Sequence, residues 1–235
     1  MFATDDELRA AVDAELTWDP SVDSARVSVA VRNAVVTLRG TVGSYPQKRA
    51  AHAAAGRILG VVRVDDALEV ELPAASRRTD LELRTTVAAG LATNVELRSS
   101  TVRVRAEDGW ITLTGTVTWH FQRIAADRVA SSTIGVYGVT TDIELLPEQP
   151  PPPGLKTTIL QAVSRSIPLS RMDISVGVST EGVVTLRGVT PSALERDSVV
   201  DAAWCAPGVV EVVTDIQLER AAGPPRAAQL AGRHG

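Results

Sequence analysis

The stretch that decides the fold is Val35-Val36-Thr37-Leu38-Arg39-Gly40-Thr41-Val42, because it returns twice more along the 235-residue chain. Its copies are Trp110-Ile111-Thr112-Leu113-Thr114-Gly115-Thr116-Val117 and Val183-Val184-Thr185-Leu186-Arg187-Gly188-Val189-Thr190, at spacings of 75 and 73 residues. Repetition at a regular period indicates one structural unit used several times. The sequence therefore predicts three tandem copies of a small unit.

The residues around each copy predict the elements of that unit. Upstream, Leu8, Val12 and Leu16 are four residues apart and form one helical stripe, and the run of Val27, Val29 and Val31 alternates like a strand. Downstream come a small-residue helix and a third alternating run. We expect each unit to be αββαβ, an α+β fold in which two helices pack on one face of a mixed three-stranded sheet.

Six glycines recur at fixed places in the three copies, 20 residues apart within each copy. We interpret them as structural positions, since neither the P-loop nor the dinucleotide-binding glycine pattern is present. The first of each pair belongs to the strand signature, and the second is placed to end a helix in a left-handed cap. They are Gly40, Gly115 and Gly188, followed by Gly60, Gly135 and Gly208.

The spacers give the predicted domain boundaries. Unit 1 is residues 1–73, unit 2 is 78–147 and unit 3 is 154–220, with a proline-rich linker at 148–153 and a disordered tail at 221–235. A polyproline stretch is semi-rigid. We therefore expect units 1 and 2 to dock as a pair, with unit 3 held away from them.

Composition excludes several classes of protein. The single cysteine, Cys205, excludes an intrachain disulfide framework, and we expect it to be a buried, inert thiol. The acidic N-terminal stretch is unlike a signal peptide, and the chain has no apolar run long enough for a membrane span. We therefore expect a cytoplasmic protein, either free or peripheral to the membrane. A net charge of -4 argues against nucleic acid as a partner.

With its order of elements, its V-V-T-L-x-G signature and its later G-V-x-x-V segments, the unit resembles the BON domain, named from bacterial osmotically induced and nodulation-associated proteins. The resemblance covers about residues 4 to 219. It implies a non-enzymatic attachment module that binds phospholipid membranes or envelope partners, in some cases in osmotic stress or chaperoning. We predict no catalytic residue, cofactor or metal, since the three histidines do not recur at aligned positions.

The candidate contacts with lipid or a partner protein lie on the second helix of each unit. Trp119 and Phe121 stand at the start of this helix in unit 2, close to Arg123 and Arg128. They could reach lipid headgroups, or they could pack between two units or against a loop. Lys48, Arg123 and Arg196 share one aligned position, which suits a phosphate contact or an ordinary solvated residue. Lipid binding through such basic residues should be weak and salt-sensitive.

An alternative is a protein-interaction or chaperone-like module that uses exposed sheet faces or edges. Val35, Trp110 and Val183 are predicted to lie on the sheet face away from the helices. The last strand of each unit carries a polar residue on its apolar face, at Asp66, Thr141 or Thr214. We expect these three to satisfy backbone groups at a turn or helix end.

Overall fold

A computed structural model of the chain describes residues 4–98, 100–166, 173–190 and 193–218. It confirms three α+β units, each with a mixed three-stranded sheet and two helices. Unit 1 contains α1 (Asp5–Trp18), β1 (Val27–Arg32), β2 (Val35–Val42), α2 (Tyr45–Arg57) and β3 (Arg63–Val70). Unit 2 contains α3 (Asp80–Thr93), β4 (Arg103–Glu107), β5 (Trp110–Val117), α4 (His120–Ser131) and β6 (Gly138–Leu145). Unit 3 contains α5 (Leu155–Ser166), β7 (Asp173–Val178), β8 (Val183–Thr190), α6 (Ala193–Trp204) and β9 (Glu211–Leu218).

The signature strand lies at the centre of each sheet. In unit 1, β2 pairs antiparallel with β1 and parallel with β3, so that Leu38 lies opposite Val29 on one side and Asp66 on the other. Units 2 and 3 repeat this topology. The parallel pairing follows from the helical crossover that connects the second and third strands.

Each unit has a hydrophobic core of its own. In unit 1 the helix stripe of Leu8, Val12 and Leu16 packs against the strand residues Val36 and Leu38, all of them buried. The crossover helix contributes alanines to this core, so it can lie close to the sheet. Separate cores of this kind are centred on Ile111 and Leu113 in unit 2 and on Val184 and Leu186 in unit 3.

Each of the first two hairpin turns is tied to the helix that begins its unit. Asn33 and Ala34 both have positive φ, and their N–H groups donate to the carboxylate of Asp5 at 2.8 and 2.9 Å. In unit 2, Asp80 accepts from Asp108 and Gly109 in the same way. Ala34 stands where the other two copies carry glycine, and its φ of 60° lies in the left-handed region that non-glycine residues rarely adopt.

All six recurring glycines have positive φ, in agreement with their predicted structural roles. Gly40 is the clearest case, since a Cβ atom there would lie 1.9 Å from the carbonyl oxygen of Arg26. Its φ of 122° also falls in a region that only glycine adopts readily. The signature glycine therefore permits a close approach between β2 and the residue that precedes β1.

Residues 148–153 form neither helix nor strand. The predicted tail, 221–235, lies outside the described residues, as does the C-terminal end of predicted unit 3. Among the helices of the described ranges, none combines the length and the apolar character needed to cross a bilayer.

Candidate functional site

Helix α4 of the middle unit carries the exposed aromatic residues and also makes contacts with both neighbouring units. Its core face consists of Gln122, Ala125, Ala126 and Ala130, all buried. Gln122 fixes the start of the helix, since its side chain accepts from the N–H of Trp119 and donates to the carbonyl of Glu96. The remaining faces of α4 are divided between unit 1, unit 3 and solvent.

Unit 1 contacts the C-terminal half of α4. The guanidinium of Arg49, on α2, donates to the carboxylate of Asp127 and to Ser131 Oγ, the latter at 2.6 Å. Tyr45, at the start of α2, packs against the core of unit 2. The first two units therefore form a docked pair, as the short spacer between them predicts.

Unit 3 contacts the N-terminal end of α4 through Trp204. The indole stacks on the imidazole of His120, with ring centroids 4.1 Å apart and an interplanar angle of 8°. The guanidinium carbon of Arg123 lies 4.9 Å from the centroid of the same indole. The prediction that unit 3 is held away is therefore wrong, because Trp204 packs against the cores of both units and overrides the spacer.

We call the contact between units 1 and 2, and the contact between units 2 and 3, the two joints of the chain. Both joints use equivalent positions of the repeat. Tyr45 and His120 align, as do Ser131 and Trp204. In both joints, the start of one crossover helix meets the end of the next crossover helix along the chain. The units are therefore joined head to tail, by an interface that is itself repeated.

The solvent side of α4 presents three large apolar residues, which we call the α4 patch. Trp119, Phe121 and Ile124 are 39%, 53% and 51% exposed. Phe121 and Ile124 are three residues apart on a helix and so are surface neighbours. The α4 residues that contact Trp204 of unit 3 are His120 and Arg123, while the two aromatic residues keep a large exposed fraction.

Sequence reasoning missed Ile124, although the repeat contained a signal for it. The aligned positions in the other units are Arg49 and Asp197, both charged. An apolar residue where the other copies carry charges indicates a surface that has changed its role.

The predicted basic residues are engaged within the chain. Lys48 Nζ donates to the carbonyl of Leu68 at 2.6 Å and lies 3.7 Å from Asp66. Arg196 pairs with Asp197, and Arg128 pairs with Glu96. Arg123 is held at the joint by Trp204 and His120. The structure therefore does not assemble the aligned cations into one phosphate site, since each of them has a local partner.

The polar residues of the last strands have three different environments. Asp66 accepts from the N–H of Leu68 at 3.0 Å, so it satisfies a backbone group as expected. Thr141 instead donates to Asp127 at 3.2 Å, joining the strand to α4. Thr214 lies beside the buried Leu186 in the strand register, so it is on the apolar face as predicted, but its side chain is exposed.

Two further expectations concern reactive groups and the outer sheet face. Cys205, which follows the last residue of α6, is exposed, so the prediction of a buried thiol is wrong. Trp110 is 54% exposed, whereas Val35 and Val183 are half-buried.

Within the described ranges, no three His, Cys, Asp or Glu side chains come together in a way that could hold a metal.

The joint between units 2 and 3 should respond to pH. Burial, with a smaller effect of the Arg123 charge, lowers the pKa of His120 from 6.5 to about 4. Arg123 Nη2 lies 2.9 Å from His120 Nδ1, an arrangement that requires the neutral ring as acceptor. As the pH falls from 6.5 towards 4, the unfolded chain therefore gains a proton that the folded chain does not.

We expect the free energy of unfolding to decrease as the pH is lowered from 6.5 towards 4. Above pH 6.5, the contribution of His120 to the free energy of unfolding should be constant. The substitution His120→Phe keeps a ring on Trp204 but removes the titrating group. Urea unfolding at pH 7 and pH 4.5 should show a smaller pH dependence for this variant than for the natural chain. Equal pH dependence in the two proteins would show that His120 does not contribute.

Comparisons with known proteins give one family. The BON domain model matches residues 4–71, 79–147 and 155–220. The chain is 31% identical over 147 residues to osmotically-inducible protein Y of Escherichia coli K12, a match that covers 61% of this chain and 73% of that protein.

Solved structures resemble the chain only weakly. CdsD, a structural protein of the type III secretion system of Chlamydia trachomatis, is 14% identical with a TM-score of 0.24, over 89% of this chain and 90% of that one. The periplasmic domain of PrgH from S. typhimurium is 14% identical with a TM-score of 0.22, over 83% of this chain and 94% of that one. Neither likeness supports an inference about function. The family model, however, matches most of the chain in three consecutive segments that coincide with its three folded units, and the chain therefore belongs to the BON domain family.

Proposed function

We propose that this chain is a non-catalytic attachment module that binds phospholipid membrane surfaces weakly through the α4 patch. The observation that carries the proposal is the exposure of Trp119, Phe121 and Ile124 at one end of one helix. Aromatic side chains at the end of an element suit the boundary between headgroups and acyl chains. The similarity to an osmotically inducible protein supports a role in bacterial envelope stress.

The patch should act mainly by apolar insertion. The two arginines of α4, Arg123 and Arg128, are already engaged with Trp204 and Glu96, and the chain carries a net charge of -4. Burying the exposed part of each apolar side chain contributes about 1 kcal/mol, or about 3 kcal/mol for the patch. We therefore expect only moderate salt dependence, less than the sequence-based interpretation implies. The predicted cytoplasmic location stays a prediction.

Liposome co-sedimentation with the variant W119S/F121S/I124S tests this function. Losing about 3 kcal/mol should weaken binding to vesicles of phosphatidylglycerol and phosphatidylethanolamine about 100-fold. The matched control is W18S/L59S/V62S, which removes one tryptophan and two aliphatic side chains that are 85%, 79% and 43% exposed on unit 1. The control should bind these vesicles as the natural chain does.

Two results would contradict the proposal. One is that the natural chain fails to bind anionic vesicles even at low salt. The other is that both triple variants lose the same affinity, which would mean that the chain attaches through exposed apolar residues in general.

A further inference from the structure

Unit 2 also has a groove that is separate from the α4 patch and plays no part in the proposed membrane attachment. It has a volume of about 720 Å³ and lies between α3 and the edge strand β4. Its floor is apolar and includes the buried Leu91 and Leu97 together with the half-buried Val104. We call it the α3–β4 groove.

Three arginines line this groove. Arg84 of α3, Arg98 after the short turn that follows α3, and Arg103 of β4 are all exposed. None of them makes an ion pair or side-chain hydrogen bond with any other residue in the described part of the chain. By contrast, the neighbouring Arg105 and Arg128 are paired with Glu107 and Glu96.

The arginines are not required by the fold. The aligned positions in unit 1 are Arg9, Asp23 and Ser28, and unit 3 carries Lys156 and Ser175 at two of the three. Those units form the same helix–strand arrangement without the cluster. Each unit carries a cation at the first of these positions, but only the middle unit adds two more arginines beside it, and the resulting cluster would attract an anionic ligand.

The wall of the groove also offers free backbone groups. Among the described residues, strand β4 pairs with β5 and with no other strand, so its other side is an open edge. The N–H of Thr101 donates to Thr116 at 3.2 Å, and bonding alternates along an antiparallel strand. The N–H and C=O groups of Val102 and Val104 therefore face outward, where an added strand could pair with them.

We propose that the α3–β4 groove binds an extended acidic segment of a partner protein, which adds as a strand to the free edge of β4. Alternate side chains of such a segment point to opposite sheet faces. Apolar side chains on one face would cover Leu91 and Leu97, while carboxylates on the other would lie beside Arg103. Arg84 and Arg98 would attract further carboxylates at the rim. This site is independent of the α4 patch.

The test uses the full chain and a fluorescein-labelled nonapeptide of alternating glutamate and valine, followed by anisotropy. The variant R84Q/R98Q/R103Q should bind this peptide about tenfold or more weakly, since each exposed ion pair is worth a few-fold in affinity. The control R32Q/R39Q/R187Q removes three exposed arginines from other sites and the same total charge. It should bind as the natural chain does.

A second peptide tests strand addition directly. Methylating the backbone nitrogens of alternate residues removes the donors that pair with β4 while keeping every side chain. We expect this peptide to lose at least tenfold in affinity. Equal binding of both peptides, equal loss in the two arginine variants, or no binding at low salt would overturn the proposal. The proposal would also be overturned if the chain bound anionic vesicles through the three arginines but did not bind the peptide.

Discussion

Replacing Gly40 by alanine should destabilise unit 1 by about 3 kcal/mol or more. Two effects add at this position. The backbone φ of 122° is one that side chains rarely adopt, and the new Cβ would lie 1.9 Å from the carbonyl oxygen of Arg26. The atom that the new Cβ would meet belongs to the backbone and not to a flexible side chain. The strain can therefore be relieved only if the residues before β1 move away from β2.

A unit of this size has a small core and little stability to spare. Gly40→Ala should therefore unfold unit 1 near room temperature while leaving units 2 and 3 folded. Amide hydrogen exchange resolved by unit is the measurement, with β1 and β2 expected to lose protection.

Gly56→Ala is the matched control, since it makes the same chemical change in the same unit. Gly56 lies on α2, and a Cβ there would meet no atom within 4 Å. Alanine favours the helix, so this variant should be slightly more stable, by about 0.5–1 kcal/mol. Equal effects of the two substitutions would contradict the structural role assigned to the signature glycine.

The second large effect concerns Trp204, which joins unit 3 to unit 2. Removing the indole in Trp204→Ala abolishes the stack with His120, the contact with Arg123 and packing against two cores. Together these losses should cost about 2–3 kcal/mol. We expect thermal unfolding to separate into more transitions than the natural chain shows.

The same substitution should change the titration of His120. With the indole gone, the ring becomes more accessible to water, and its pKa should rise from about 4 towards 6.5. Nuclear magnetic resonance titration of the imidazole follows this change. Trp18→Ala is the control, since Trp18 is 85% exposed and its loss should alter neither stability nor this pKa. An unchanged pKa of His120 in the Trp204→Ala variant would contradict the claim that Trp204 stacks on this ring and shields it from water.

Most of the fold could be predicted because the repeat samples each position three times. Alternation along β2 and the four-residue spacing in α1 identify which side chains are buried, and Gly40 recurs because the backbone requires it. The contacts between units could not be read in this way. Trp204 aligns with Ser131 and Gly56, which are small residues, so a comparison of the three copies gives no signal that this position forms a contact between units.

The candidate site was only partly predictable for a related reason. Trp119 and Phe121 are conspicuous as aromatics, but their exposure depends on which face of α4 the neighbouring units occupy. The aligned cations suggested a shared surface, whereas Lys48 and Arg123 are held by partners distant in sequence. The cluster of groove arginines could not be predicted, because Arg84 lies on α3 and Arg103 on β4, and only the fold brings these two elements together.

The attachment of this chain to membranes through α4 is tested most directly by single-tryptophan variants. A variant that keeps only Trp119 (W18F/W110F/W204F) is compared with one that keeps only Trp18 (W110F/W119F/W204F), on vesicles with brominated acyl chains. Trp18 is the more exposed residue, at 85% against 39%, so non-specific adsorption would favour it. We predict that the bromine quenches Trp119 and shifts its emission to the blue, while Trp18 stays unchanged. Quenching of Trp18 with no change at Trp119 would contradict the proposed orientation.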